Sequence, residues 1–351
     1  MIGPFVAFAV SAVAALPQPV DGASFARQPV TLASGVIGQT LTLSSRTPID
    51  FAPMLKGELG ATVTLHAQLF VPSGKGPYPA VVFVPGSGGV GPHQLQQADA
   101  ITARGIAVLL IDPFGGRGIG ETISDQGRLT WAASTYDVIA AVKLLRSLPG
   151  IDPRRIGAVG SSRGGTAVML AASRPISERY FGANGGLAAA VSGYPWCGTQ
   201  FWSARLANGT PLLVLSGDKD DWVSVQQCQD AVHAIANAES DASMKIFRGA
   251  FHAFDRAGMP PTRMAQVATA TTYPTVYMND SGWYRDPRTG KPDPALTPRS
   301  FVQQSVEDGF VRHGVTVGTQ GKQAAEYVDE MVAFLTSRLK PKEHKLVQAK
   351  R

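Results

Sequence analysis

Cysteine is nearly absent: the 351 residues hold only Cys197 and Cys228, which excludes a disulfide scaffold. The sequence has no His-Glu-x-x-His and no Cys-x-x-Cys, so no metal is implied by motif. Charge is sparse too, at 17% Asp, Glu, Lys and Arg against 44% hydrophobic residues, and that balance excludes disorder and provides for a sizeable core. The formal net charge of +6 is deceptive. Arg338, Lys340, Lys342, Lys345, Lys350 and Arg351 against Glu343 put +5 of it in the last fourteen residues, leaving a nearly neutral body. A nucleic-acid binder needs basic charge spread over a folded face, so no nucleic-acid partner is expected.

No uninterrupted apolar run reaches the roughly 20 residues that cross a bilayer, and no stable membrane span is expected. Residues 5–16 are apolar and end at Pro17, and Ala12-Val13-Ala14 supplies a small-x-small cleavage pattern. Residues 1–23 therefore read as a signal peptide, although no Lys or Arg precedes Arg27. The expected location is exported, periplasmic or secreted, where a disulfide can persist. The competing reading is a cytoplasmic protein with a mis-assigned start or a buried N-terminal segment.

Strand and helix patterns alternate through residues 24–340. Alternating residues 63–71 read as a strand, and the β-branched run 80–84 reads as a strand buried on both faces. Further strands are expected at 106–111, 155–159, 187–191, 211–216 and 243–247, with helices near 93–104, 130–148, 164–173, 223–238 and 323–339. This order predicts one α/β domain with a mainly parallel, doubly wound sheet and helices on both faces. Residues 255–310 break the rhythm, being proline-dense with Tyr273, Tyr277, Trp283 and Tyr284, and are expected to form an irregular lid-like excursion. Residues 341–351 read as a basic tail.

The strand ending at Val159 runs through Gly160-Ser-Ser-Arg-Gly164 into a helix, the context of a nucleophile elbow with Ser162 at the turn. The bland reading makes Ser161 or Ser162 a helix N-cap. A serine needs a base, and of six histidines His252 best follows a strand into the carboxyl edge of the sheet; His313 is not excluded by pattern. The preceding strand ends in Gly217-Asp-Lys-Asp-Asp-Trp222, which makes Asp220 the expected carboxylate partner, with Asp221 as runner-up. The order Ser, Asp, His is that of α/β-hydrolases. Backbone N–H groups of Arg163 and Ser87 are the expected oxyanion donors, with Gly88 next after Ser87. A competing reading takes Gly86-Ser-Gly-Gly-Val-Gly91 as a dinucleotide fingerprint with Asp112 on the ribose. That reading leaves the placements of Ser162, Asp220 and His252 as three coincidences.

Val84-Pro-Gly-Ser-Gly-Gly89, Asp112-Pro-Phe-Gly-Gly-Arg-Gly118, Gly160-Ser-Ser-Arg-Gly-Gly165, Tyr194-Pro-Trp-Cys197, the acid loop 217–222 and Phe251-His-Ala-Phe-Asp255 together resemble the dienelactone hydrolase family of α/β-hydrolases. The resemblance covers about residues 63–252 and resumes at the last helix. It implies hydrolysis of carboxylic esters or lactones, small molecules, with no cofactor. Serine stands at 162 where the original dienelactone hydrolases use cysteine, so their substrate does not carry over. By the same resemblance Arg117 would hold a substrate carboxylate, or else bond loop carbonyls, and Trp222 in the acid loop would border the substrate. Cys197 and Cys228 fall where look-alikes pair their cysteines, with free buried thiols as the alternative. Peptidase or thioesterase chemistry would use the same groups, and a non-catalytic binding protein could share the fold.

Overall fold

The computed structural model describes residues 22–340. The basic tail, and all of the expected leader except residues 22 and 23, lie outside the described residues. Helix α1 (Gly22–Arg27), strand β1 (Gln39–Thr47), helix α2 (Phe51–Lys56) and strand β2 (Ala61–Phe70) come first. The alternating body follows as β3 (Tyr78–Val84), α3 (Pro92–Thr102), β4 (Ala107–Asp112), α4 (Trp131–Ser147), β5 (Ile151–Ser161), α5 (Arg163–Ala172), α6 (Arg174–Phe181), β6 (Ala190–Gly193), β7 (Thr199–Phe201), β8 (Leu212–Gly217), α7 (Val225–Asn237) and β9 (Ala242–Phe247). The chain ends with β10 (Thr262–Thr269), β11 (Val276–Met278), α8 (Pro298–Glu307), β12 (Arg312–Val317) and α9 (Gln323–Leu339).

Strand side chains alternate between faces, so a strand with apolar residues at every position must be covered twice. Strand β3 meets that condition. Ala80, Val82 and Val84 join a core with residues of α4, α5 and α7, while Val81 and Phe83 join a second core with α3 and α9. The sheet has eight strands in the order β1-β2-β4-β3-β5-β6-β8-β9. The six from β4 to β9 are parallel, and β1 and β2 form an antiparallel edge. Parallel pairing brings the carboxyl ends of β3, β5, β8 and β9 to one rim, where the loops that carry chemistry in such sheets gather.

Residues 255–310 are more regular than expected from the sequence. They contain β10, β11 and α8. Strand β10 pairs with β12, and Val317 of β12 bridges His252. Strand β11 pairs in parallel with β7, and Met278 and Tyr284 are buried against Phe51 and Met54 of α2. These elements are hidden in sequence because their partners are distant, β11 has three residues, and β10 is half-exposed with its register broken between Met264 and Ala268. Periodicity needs a longer, one-sided run to register.

Cys197 and Cys228 are joined as a disulfide, 31 residues apart, tying the segment after β6 to the first turn of α7. In the chain-entropy view, closing a loop of that size stabilises the fold by roughly 3 to 4 kcal/mol. Replacing both cysteines with alanine is expected to lower unfolding free energy by about 3 kcal/mol in urea titrations. Dithiothreitol should then lower the midpoint of the parent protein and leave that of the double variant unchanged.

Candidate active site

Strand β5 passes into α5 with a single residue between them, and that residue is Ser162, at φ 52° and ψ −118°. A side-chain-bearing residue rarely adopts positive φ, and it persists only when the surroundings over-determine it. Here Ser162 N donates to the Gly193 carbonyl at 2.8 Å, and Thr166 N donates to the Ser162 carbonyl at 2.9 Å. The flanking glycines are required by contact: a Cβ at Gly160 would lie 2.5 Å from the Gly164 carbonyl carbon, and one at Gly164 would lie 2.2 Å from the Val84 oxygen. Ser162 occupies the N-cap position of α5, yet its side chain makes no capping bond. Its Oγ lies instead 2.9 Å from Nε2 of His252.

His252 is buried, and its Nδ1 sits 2.7 Å from Oδ2 of Asp220. The other carboxylate oxygen, Oδ1, accepts N–H bonds from Trp222 and Val223 at 2.9 and 3.0 Å, which fixes the carboxylate toward the ring. With Nδ1–H donated to Asp220, the Nε2 lone pair faces the hydroxyl, a tautomer assigned from the partners. The ring is wedged between Tyr194 and Trp222, at centroid distances of 4.7 and 4.8 Å. Asp221, the runner-up, points elsewhere: it accepts from Thr316 N and Oγ1 at 2.6 and 2.9 Å and so anchors β12. His313 is exposed on β12, away from this cluster. His93 is pushed down to about 3 by burial, reinforced by the charge of Arg256.

Ser87 and Arg163 both border the cavity beside Ser162. A Cβ at Gly86 would come within 3.3 Å of Ser162 Cβ, so the glycine lets the loop after β3 close on the serine. Gln126, which sequence reasoning missed, couples the two: its Oε1 accepts from Ser87 Oγ at 3.1 Å and from Arg163 Nη2 at 2.7 Å. The Arg163 guanidinium also donates to the Leu129 carbonyl at 2.8 Å and lies 4.3 Å from the Trp131 ring. Burial pushes its pKa down to about 9, with the charge of Asp125 acting the other way. A second missed pair is Tyr194 and Asp255. Tyr194 OH donates to Asp255 Oδ1 at 2.6 Å and Gln97 Nε2 donates to Oδ2 at 2.8 Å, bracing the ring that backs His252. The spacing of Asp255 three residues after His252 was the available signal.

The geometry bears on two of the alternatives that the sequence left open, and Arg117 takes the structural one. Arg117 does not face the cavity. Its guanidinium makes two 2.8 Å bonds to the fully buried Asp137 and further bonds to the carbonyls of Pro113 and Arg46, so no donor pair is left for a substrate carboxylate. The Gly86 to Gly91 loop does not have the partners of a dinucleotide fingerprint either. Asp112 accepts from Phe114 N and Gly115 N of its own turn, and Gln94 Oε1 occupies Gly91 N at the start of α3. Trp222 lines the cavity.

A sheet of this order, with a serine on the β5 to α5 turn, a carboxylate after β8 and a histidine after β9, defines an α/β-hydrolase. The profile of the dienelactone hydrolase family matches residues 65–276, more than half of the chain, and the protein belongs to that family. It is 25% identical over 228 residues to "Uncharacterized peptidase YuxL" of Bacillus subtilis, an alignment covering 55% of this chain and 34% of the other, so it spans about a third of that relative's length. It is 27% identical over 197 residues to the "Probable 2-oxo-3-(5-oxofuran-2-ylidene)propanoate lactonase" of Bradyrhizobium sp, covering 54% of this chain and 78% of the lactonase. Among solved structures, the dienelactone hydrolase-like promiscuous phosphotriesterase P91 from metagenomic libraries superposes with a TM-score of 0.48 at 16% identity, covering 86% of this chain and all of P91. The propionate-bound esterase Est2 of Thermogutta terrifontis gives 0.42 at 19% identity, with 55% and 82% covered.

Removing the Arg117 side chain would leave Asp137 buried without its counter-charge, which costs roughly 3 to 5 kcal/mol. Arg117→Ala is therefore expected to lose about that much stability in urea melts. The ratio of rates on neutral and carboxylate-bearing esters should stay unchanged.

Proposed function

We propose that the protein is a serine hydrolase of carboxylic esters, working through an acyl-enzyme. The observation that carries this reading is the unbroken hydrogen-bond path from Ser162 Oγ through His252 to Asp220, at 2.9 and 2.7 Å, on a serine held at an otherwise unfavourable backbone angle. His252 Nε2 takes the hydroxyl proton as Oγ attacks the ester carbonyl. Asp220 steadies the imidazolium that results. Backbone N–H groups of Ser87 and Arg163 receive the negative charge on the carbonyl oxygen, and fixed donors of this kind need no reorganisation as charge develops. The imidazolium then gives its proton to the departing alcohol, and a water repeats the sequence on the acyl-serine.

A lactone is an internal ester and would follow the same two steps, a reading that the match to the Bradyrhizobium lactonase supports. The disulfide accords with an exported protein, since such bonds persist in oxidising compartments. No helix among the described residues is long and apolar enough to cross a membrane.

Ser162→Ala, His252→Ala and Asp220→Asn are each expected to lower kcat on a reactive ester by about 10⁴-fold or more, and the Ser162 and His252 double variant to be no worse than either single one. Steady-state kinetics read this directly. Retention of a tenth of the parent rate by Ser162→Ala would end the proposal.

A further inference from the structure

Two cavities meet at Ser162, and they are unequal. The larger has a cavity volume of about 130 Å³ and is walled by Trp131, Trp196, Trp222, Tyr273, Tyr284 and Phe301. The smaller has a volume of about 20 Å³ and is lined by Gly88, His252, Ala253, Arg256 and Met264, among others. Ser87, Ser162 and Trp222 border both. His252 borders the smaller one and is not part of the larger one's wall.

That asymmetry orients the substrate. The proton that His252 takes from Ser162 must go to the leaving alcohol oxygen, so this oxygen lies on the His252 side when the ester carbon–oxygen bond breaks. The new bond joins Ser162 Oγ to the acyl carbon, and the rest of the acyl group is left to the larger cleft. By the reverse path, the water that releases the acid enters where the alcohol left. We infer that the natural substrate is an ester joining a bulky, uncharged, aromatic-bearing acid to a small alcohol. This inference rests on the serine-hydrolase reading and deepens it.

The chemistry of the larger wall agrees. The Trp131 and Trp196 ring centroids lie 4.9 Å apart, and Thr166 Oγ1 holds the Trp196 backbone, accepting from its amide N–H at 2.8 Å and donating to its carbonyl at 3.0 Å. Fixed aromatic faces of this kind reward a flat apolar group. Among the described residues no Asp, Glu or Lys lines the cleft. Its one charged side chain, Arg163, is already engaged with Gln126, Leu129 and Trp131.

Two isomeric esters that differ in the direction of the ester group provide the test: methyl 3-phenylpropanoate and 2-phenylethyl acetate. The former should be turned over with a kcat/KM higher by about tenfold or more, a margin ordinary for pocket discrimination. Val276→Phe, which adds volume to the larger wall, should lower the ratio of methyl 3-phenylpropanoate to methyl acetate. Equal rates on the two isomers, a preference for 2-phenylethyl acetate, no turnover of either, or an unmoved ratio in Val276→Phe would overturn the assignment. A fluorophosphonate probe on the same preparation separates the failures. Ser162 labelled alongside such kinetics overturns the acyl assignment alone, whereas Ser162 unlabelled overturns the serine-hydrolase reading beneath it.

Discussion

The architecture turns on a single-residue junction between a buried strand and a buried helix. Ser162 is the one residue between β5 and α5 and reverses the chain at positive φ, while the backbones of Val84, Pro85 and Gly193 pack against the glycines of the turn. Gly160 and Gly164 are glycines because a methyl group would strike the turn or the neighbouring strand, and Gly86 keeps the loop after β3 in close contact with the serine. The strain at Ser162 is thus held by packing on both sides of the sheet, and its effect is to stand one hydroxyl above the rim instead of folding it back as a cap.

The groups around that hydroxyl come from three separate loops, and each is fixed by its own bonds and packing. Asp220 is set by two N–H groups of its turn, His252 by Asp220 and two aromatic neighbours, and Ser87 by Gln126 and by Thr122 N on its carbonyl. The disulfide and the Asp221 to Thr316 bonds then fasten the acid loop's surroundings from two directions. Neighbouring residues 220 and 221 divide the work, one facing the imidazole and the other holding the β10 and β12 pair that flanks it. Preorganisation of this kind is what makes fixed dipoles effective at a reacting carbonyl.

What could be read from the sequence was what is local. The buried strands announce themselves as short β-branched runs, the last helix falls on residues 323–339 as expected, and the Ser, Asp and His positions follow from strand ends. What could not be read depends on distant partners. Nothing near Arg117 tells that Asp137 lies across from it, because the two meet only when the loop after β4 folds onto α4. Gln126 looks like an ordinary loop residue until Arg163 and Ser87 are brought to it. The walls of the larger cleft are contributed by α4, α5, the segment before β7, the acid loop and the elements after residue 262, so no single stretch carries its pattern.

Carbamates transfer their carbamoyl group to an activated serine and hydrolyse slowly thereafter, so they capture the acylated state long enough to be weighed. Incubation with an aryl N-methylcarbamate, followed by peptide mass spectrometry, should find the carbamoyl mass on the peptide holding residue 162, and no such mass in His252→Ala. Inactivation with the added mass on another residue, or ester turnover in a protein that never carries it at Ser162, would contradict the account.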